Sequence, residues 1–216
     1  MATDLKELYP DKEITLVHSR DCLMPLYHSK IHEVLKSRLE ELGVKLITGT
    51  RAVFPPANLD HDDTKVVLRL TNGQELVADL VIPATGQKPN NGFINVLPTL
   101  QFKDPAYPKL FAAGDIADTG AQKAAKPGVV QAQVAARNVV AMIEGRSPVE
   151  RFSVRPPGLH MSIGLKKNMK FINPNVEAGE TEPTVIMRDD GKDDLGIERV
   201  WKRRGINVTD PRDYHL

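Results

Sequence analysis

The residues of this chain best suited to chemistry lie in Leu110–Asp118, which reads Leu-Phe-Ala-Ala-Gly-Asp-Ile-Ala-Asp. An apolar strand is expected to run into Gly114, with an acid following at Asp115. Glycine has no Cβ, so its backbone can approach a diphosphate closely. A carboxylate one residue on can accept hydrogen bonds from sugar or polyol hydroxyls. That order suits a nucleotide cofactor. Upstream, the apolar stretch beginning at Leu80 ends in Ala84-Thr85-Gly86, then Pro89 and Asn90, and Gly86 permits a second tight turn close to a ligand. Downstream, Val129–Glu144 has the composition of a helix, whose N-terminus would place partial positive charge beside an electron-rich ligand. Lys123 adds a full charge or a hydrogen bond at the same place, or is an ordinary surface lysine.

A third segment, Ile14–Arg20, ends in His18, Ser19 and Arg20, with Asp21 just beyond. In a dinucleotide-binding fold the second strand ends beside the adenosine ribose, where an acid favours NAD and an arginine accommodates the 2′-phosphate of NADP. No acid stands at this tip, which leans toward NADP or toward use of both cofactors. A strand that merely ends in a polar loop is the competing reading.

Several elements must position these residues. Residues 2–9 read as a helix ending at Pro10, and Ile14–His18 as a strand. Ser29 is placed to cap a helix over Lys30–Leu42, with Ile31, Val34, Leu35, Leu39 and Leu42 on one face and Gly43 as its stop. Val44–Thr48 completes a strand–helix–strand unit. Val66–Leu70 and Glu75–Val77 flank Asn72-Gly73 as a hairpin. Leu80–Pro83 reads as a buried strand, and 87–109 as loop. In the 129–144 helix, Ala132, Ala135 and Ala136 allow close approach to a sheet or a cofactor. Leu159–Leu165 and Met169–Ile172 pair around Lys166-Lys167-Asn168, and Ile197–Arg204 is a short helix bearing Trp201.

Composition narrows the classes. The chain has 216 residues, 26% of them charged and 41% hydrophobic, as in an ordinary soluble globular protein. A net charge of +1 gives no reason to expect nucleic acid as a partner. No apolar run approaches the roughly 20 residues that span a bilayer. Cys22 is the only cysteine, which excludes an internal disulfide, a CxxC redox pair and a cysteine-rich zinc site. Asp60, His61, Asp62 and Asp63 are better read as a solvated loop than as a metal site, so no metal is expected.

Taken together, Ala-Thr-Gly-x-x-Pro-Asn, the loop after it and Phe-Ala-Ala-Gly-Asp-Ile-Ala-Asp resemble the pattern of the pyridine nucleotide–disulfide oxidoreductase superfamily. Ile-Thr-Leu-Val-His-Ser-Arg and Gln-Lys-Ala-Ala-Lys-Pro-Gly look most like its apoptosis-inducing-factor-like branch, which includes ferroptosis-suppressor-type reductases and their fungal relatives. The resemblance covers roughly residues 1–175 and implies an α/β fold with two Rossmann-like dinucleotide-binding domains. In its terms residues 1–83 are the C-terminal part of an NAD(P)H-binding domain and 84–150 that of an FAD-binding domain. Residues 151–216 are then a small α+β segment.

The resemblance also implies roles. Gly114 and Asp115 would hold the diphosphate and ribityl chain of FAD. Lys123 would be the catalytic lysine beside the isoalloxazine ring, with Ala124 and Ala125 as backbone contacts. His18, Ser19 and Arg20 would flank the adenosine of NAD(P)H. Thr85 and Gly86 would sit where the chain returns to the FAD domain. Hydride would pass from NAD(P)H to FAD, and electrons from FAD to a small quinone-like acceptor, since the chain has no cysteine pair.

The family's two Gly-x-Gly-x-x-Gly fingerprints are absent. The chain is therefore expected to be the C-terminal part of such an enzyme and to bind FAD weakly or not at all by itself. The alternative is a non-catalytic fragment that at most binds a nucleotide or a partner. A cytoplasmic location is expected, with any membrane contact or targeting supplied by residues upstream.

Overall fold

The computed structural model describes residues 1–53, 65–85, 92–191, 195–208 and 210. Asp60–Asp63 and Gly86 lie outside the described residues. The chain divides into two compact units, one of residues 1–82 with 158–216 and the other of 83–157.

The first unit opens with helix α1 (Ala2–Leu8). Pro10 disfavours helical geometry in the residue before it, and the helix stops there. Strands β1 (Thr15–Val17) and β2 (Lys45–Ile47) pair in parallel, Leu16 opposite Leu46, joined through helix α2 (Lys30–Glu41). This is the expected strand–helix–strand unit. Ile31, Leu35 and Leu39 recur at four-residue spacing and are buried on one face of α2. Gly43, at φ +71°, ends the helix in the left-handed conformation glycine tolerates. The expected Ser29 cap does not form: Ser29 already has helical angles (φ −52°, ψ −30°), whereas a capping side chain works from extended backbone.

Strands β3 (Ala52–Val53), β4 (Val66–Leu70) and β5 (Glu75–Ala78) form an antiparallel sheet, and Asn72-Gly73 turns β4 into β5. Leu68 and Leu70 are buried while Val67 faces out, the period-two pattern of a half-buried strand. Leu80–Pro83 is not a buried strand: Leu80 is 57% and Ile82 47% exposed. No described strand pairs with that stretch, so its backbone has no ladder and its side chains no facing layer.

In the second unit, β6 (Ile94–Asn95) runs parallel to β7 (Ala117–Asp118), so the Gly-Asp motif leads into a strand rather than out of one. Leu110–Ala113 contributes only an isolated bridge, Gln101 to Phe111. Helix α3 (Ala125–Ile143) starts four residues before the expected Val129. Pro127 fits its first turn, where a missing N–H costs nothing. The side of α3 that packs is Gln131, Val134, Asn138 and Ala141, not the alanines at 132, 135 and 136. Ala132 and Ala136 are exposed. Asn138 is fully buried because its amide is saturated: Nδ2 donates to the carbonyls of Thr99 (3.0 Å) and Glu150 (2.8 Å), and Oδ1 accepts from the Glu150 N–H (3.0 Å).

The tail returns to the first unit. Strands β8 (Gly158–Ser162), β9 (Lys167–Ile172) and β10 (Thr184–Asp189) form an antiparallel sheet in the order β10-β9-β8, followed by helix α4 (Glu198–Arg203). The hairpin turns at 163–166, earlier than expected, which puts Asn168 inside β9, buried. Ile163, Met169 and Phe171 join Ile31, Leu35, Leu39 and Val44 in one core. The tail is therefore no separate segment; it supplies the layer that α2 needs. Burying Phe171 alone stabilises by about 1.5–3 kcal/mol.

An ion pair reinforces this packing. Buried Arg38 donates from Nε to the Ile163 carbonyl (2.8 Å) and pairs through its other nitrogens with Glu7 and with Glu41 (2.8 Å). Glu7 in turn accepts the Leu165 N–H at 2.6 Å. Gly164 is required between them: at φ +150°, a Cβ there would strike Glu7 Oε1 and lie 2.9 Å from Arg38 Nη2.

Candidate cofactor site

The second unit brings together Gly114, Asp115, Lys123, Ala124 and Ala125. Gly114 has φ +82°, a conformation that L side chains rarely adopt, and nothing stands within 4 Å of where its Cβ would be. Gly128, in the first turn of α3, faces it: a Cβ on Gly128 would lie 3.5 Å from Gly114 Cα. The two backbones thus approach closely, and the side of Gly114 where its Cβ would stand is open. Asp115 is exposed, and no described residue donates a hydrogen bond to its carboxylate.

Ala124 is the extended residue before α3 (φ −163°, ψ 159°), and no side chain caps the helix. The first-turn N–H groups are therefore left for solvent or for a ligand. Lys123 is held at the motif itself. Its ammonium donates to the carbonyl of buried Ala117 and lies 4.5 Å from the centroid of the Phe93 ring. A carbonyl dipole and an aromatic face both favour the cation.

These residues fit a ligand with a diphosphate and a polyol chain such as FAD. They provide an open glycine turn, an unengaged carboxylate for hydroxyl donors, an uncapped helix start and a fixed cation. Thr85, also in the second unit, is exposed.

His18, Ser19 and Arg20 belong to the first unit, at the C-terminal end of β1. The backbone there is tied to β2 and beyond: the His18 N–H donates to Ile47 (2.8 Å), and the carbonyls of His18 and Arg20 accept from Thr50 (3.3 Å) and Gly49 (3.1 Å). His18 Nε2 lies 3.1 Å from the Cys22 carbonyl, which staples the loop back on itself. Arg20 is exposed, with no ion-pair partner among the described residues. Among those residues no cluster of three or more His, Cys, Asp or Glu is arranged to hold a metal ion.

Sequence reasoning missed Gln131. It is 3% exposed, its Oε1 accepts the Gly114 N–H (2.7 Å), and its Nε2 donates to Thr119 Oγ1 (3.0 Å). A glutamine seven residues before an asparagine on an otherwise apolar helix face was the available signal.

The fold is α/β and Rossmann-like, and comparison with known proteins gives its family. Residues 1–138 match the family model described as pyridine nucleotide-disulphide oxidoreductase, and the chain belongs to that family. It is similar to Fe-regulated protein 8 of Mycosarcoma maydis, 33% identical over 226 residues that cover 97% of this chain and 53% of the relative. It is also similar to an FAD-dependent oxidoreductase of Flammulina velutipes, 30% identical over 70% of this chain and 50% of the relative. Ferroptosis suppressor protein 1 of Mus musculus is 28% identical over 78% of this chain and 48% of its own length. The chain thus spans about half the length of the curated relatives it matches. Among solved structures, LpdA of Mycobacterium tuberculosis superposes with a TM-score of 0.59 at 17% identity, over 95% of this chain and 44% of that one, a likeness of fold.

Proposed function

We propose that this chain is part of an FAD-dependent NAD(P)H oxidoreductase that passes electrons from NAD(P)H to a small quinone-like acceptor. The Gly114–Asp115 turn carries the reading, with Lys123 and the uncapped start of α3 beside it. Bound FAD would supply the hydride-accepting chemistry. Asp115 would accept the ribityl hydroxyls, the open side of Gly114 would admit the diphosphate, and Lys123 would set a positive charge near the ring. Arg20 would meet the 2′-phosphate of NADPH. The family membership and the name of the Flammulina relative support the flavin. This chain holds one cysteine, Cys22, and so contributes no disulfide acceptor of its own. A cytoplasmic location is part of the same proposal.

FAD titrated into the isotope-labelled 216-residue chain tests this, followed by NADPH or NADH oxidation with a soluble quinone. The expected result is a selective shift of the Gly114, Asp115, Ala124 and Ala125 amide resonances, lost in Asp115→Ala. FAD shifts confined to other residues, or flavin content unchanged by Asp115→Ala in the gene's full-length product, would overturn the reading. The half-length coverage favours a second reading, a non-catalytic nucleotide-binding module. Selective shifts without quinone-dependent NAD(P)H oxidation would support that one.

A further inference from the structure

We propose that Gln131 is the positioning residue of the flavin-holding turn, an inference that rests on the function proposed above. The geometry leaves its amide one orientation. The Gly114 N–H can only donate, so the atom facing it at 2.7 Å is the oxygen, Oε1. Nε2 therefore faces Thr119, whose Oγ1 accepts it at 3.0 Å and also accepts the Ala121 N–H at 3.3 Å. One buried side chain thus spans the segment from Gly114 to Thr119, which contains Asp115 and the carbonyl that holds Lys123.

Gln131 touches neither a reacting atom nor the carboxylate. It acts through the backbone. With its N–H drawn into the protein, Gly114 keeps its left-handed conformation and its open side stays free for a ligand. The same bonds tie the turn to α3, whose uncapped N-terminus borders it. A glutamine is matched to this task because it accepts at one end and donates at the other. Methionine has a similar unbranched shape but donates nothing and accepts only weakly. Glutamate still accepts from Gly114, and the Thr119 hydroxyl can rotate to donate to its second oxygen.

The test uses the isotope-labelled chain as Gln131→Met, Gln131→Glu and Thr119→Val. Gly114 amide shift and protection, FAD affinity and thermal midpoint are read for each. In Gln131→Met the Gly114 amide is expected to lose protection and FAD affinity to fall at least tenfold. Gln131→Glu is expected to keep the amide protected and to bring affinity back part of the way, the rest being lost to a buried carboxylate beside the diphosphate. A purely structural role would move the midpoint without that rescue. Thr119→Val keeps the experiment decisive if the methionine variant fails to fold; it removes the acceptor of the glutamine's far end and of the Ala121 N–H, leaves the Gly114 bond in place, and is expected to weaken FAD at least threefold. Wild-type affinity in Gln131→Met or in Thr119→Val, with FAD shifts intact, would overturn this inference alone. FAD shifts that leave the Gly114 and Asp115 amides untouched would overturn the proposed function and this inference together.

Discussion

Gly128 and Gly114 meet backbone to backbone: a methyl group on Gly128 would stand 3.5 Å from Gly114 Cα, an ordinary contact. Alanine at 128 should therefore fit the apoprotein, and replacing a helical glycine stabilises by about 0.8–1 kcal/mol. The expected outcome for Gly128→Ala is an unchanged or raised thermal midpoint with FAD affinity reduced several-fold. Gly114→Ala meets no atom but must hold φ +82°, which costs about 1–2 kcal/mol. A Gly128→Ala chain that binds FAD like wild type would remove Gly128 from the site.

Gly164 offers a sharper test of packing. Alanine there must displace the Glu7–Arg38 pair that ties α1, α2 and the turn after β8 together. A loss of about 1–3 kcal/mol is expected, because alanine is strained at φ +150° and two long side chains must shift. In a Glu7→Ala background the second substitution should cost less, because the nearest obstacle is gone while Arg38 and the backbone strain remain. Additive losses in chemical denaturation would show that Gly164 acts for another reason.

Arg20 bears on cofactor choice. Its side chain is exposed and has no ion-pair partner among the described residues, so a 2′-phosphate would gain charge-assisted hydrogen bonds worth about 1.5–3 kcal/mol. Arg20→Ala should weaken NADPH about tenfold or more and NADH little, by equilibrium titration. Equal losses for both would take Arg20 out of phosphate recognition.

Glu41 gives the pH prediction. Its hydrogen bond to Arg38, and then that residue's charge, hold its carboxyl below the ordinary 4.5. The unfolded chain therefore takes up this proton first as pH falls. The pair's contribution is complete above pH 4.5 and disappears as the pH drops through the lower folded value. Because Glu41 is exposed, the effect is small. Glu41→Gln should lower stability slightly at neutral pH, with the difference from wild type vanishing as the pH falls through the lower folded value. A difference that persists undiminished at low pH would contradict the assignment.

Much of this was legible from residue order. Ile31, Leu35 and Leu39 announced α2, and Asn72-Gly73 announced its hairpin, because both signals are local. Pairing was harder to read. Leu80–Ile82 is as apolar as a buried strand, but a strand also needs a partner. β6 and β7 have two residues each and leave no periodicity to find. At the candidate site, glycine and aspartate declared themselves by type. Gln131 did not, because nothing in its neighbours says that Gly114, seventeen positions away, is what it holds. Lys123 was visible as a charge but not as one fixed by Phe93 and Ala117.

The first unit is discontinuous, and this bears on the order in which the chain can mature as it leaves the ribosome. Arg38 waits for Ile163, 125 residues later, and the apolar face of α2 waits for Met169 and Phe171. At ordinary synthesis rates that gap is about 6–25 s. Residues 83–157 are contiguous and complete earlier. The nascent chain thus carries a finished second unit while the Ile31–Leu35–Leu39 stripe is still uncovered, and that interval is when a chaperone has the most to hold.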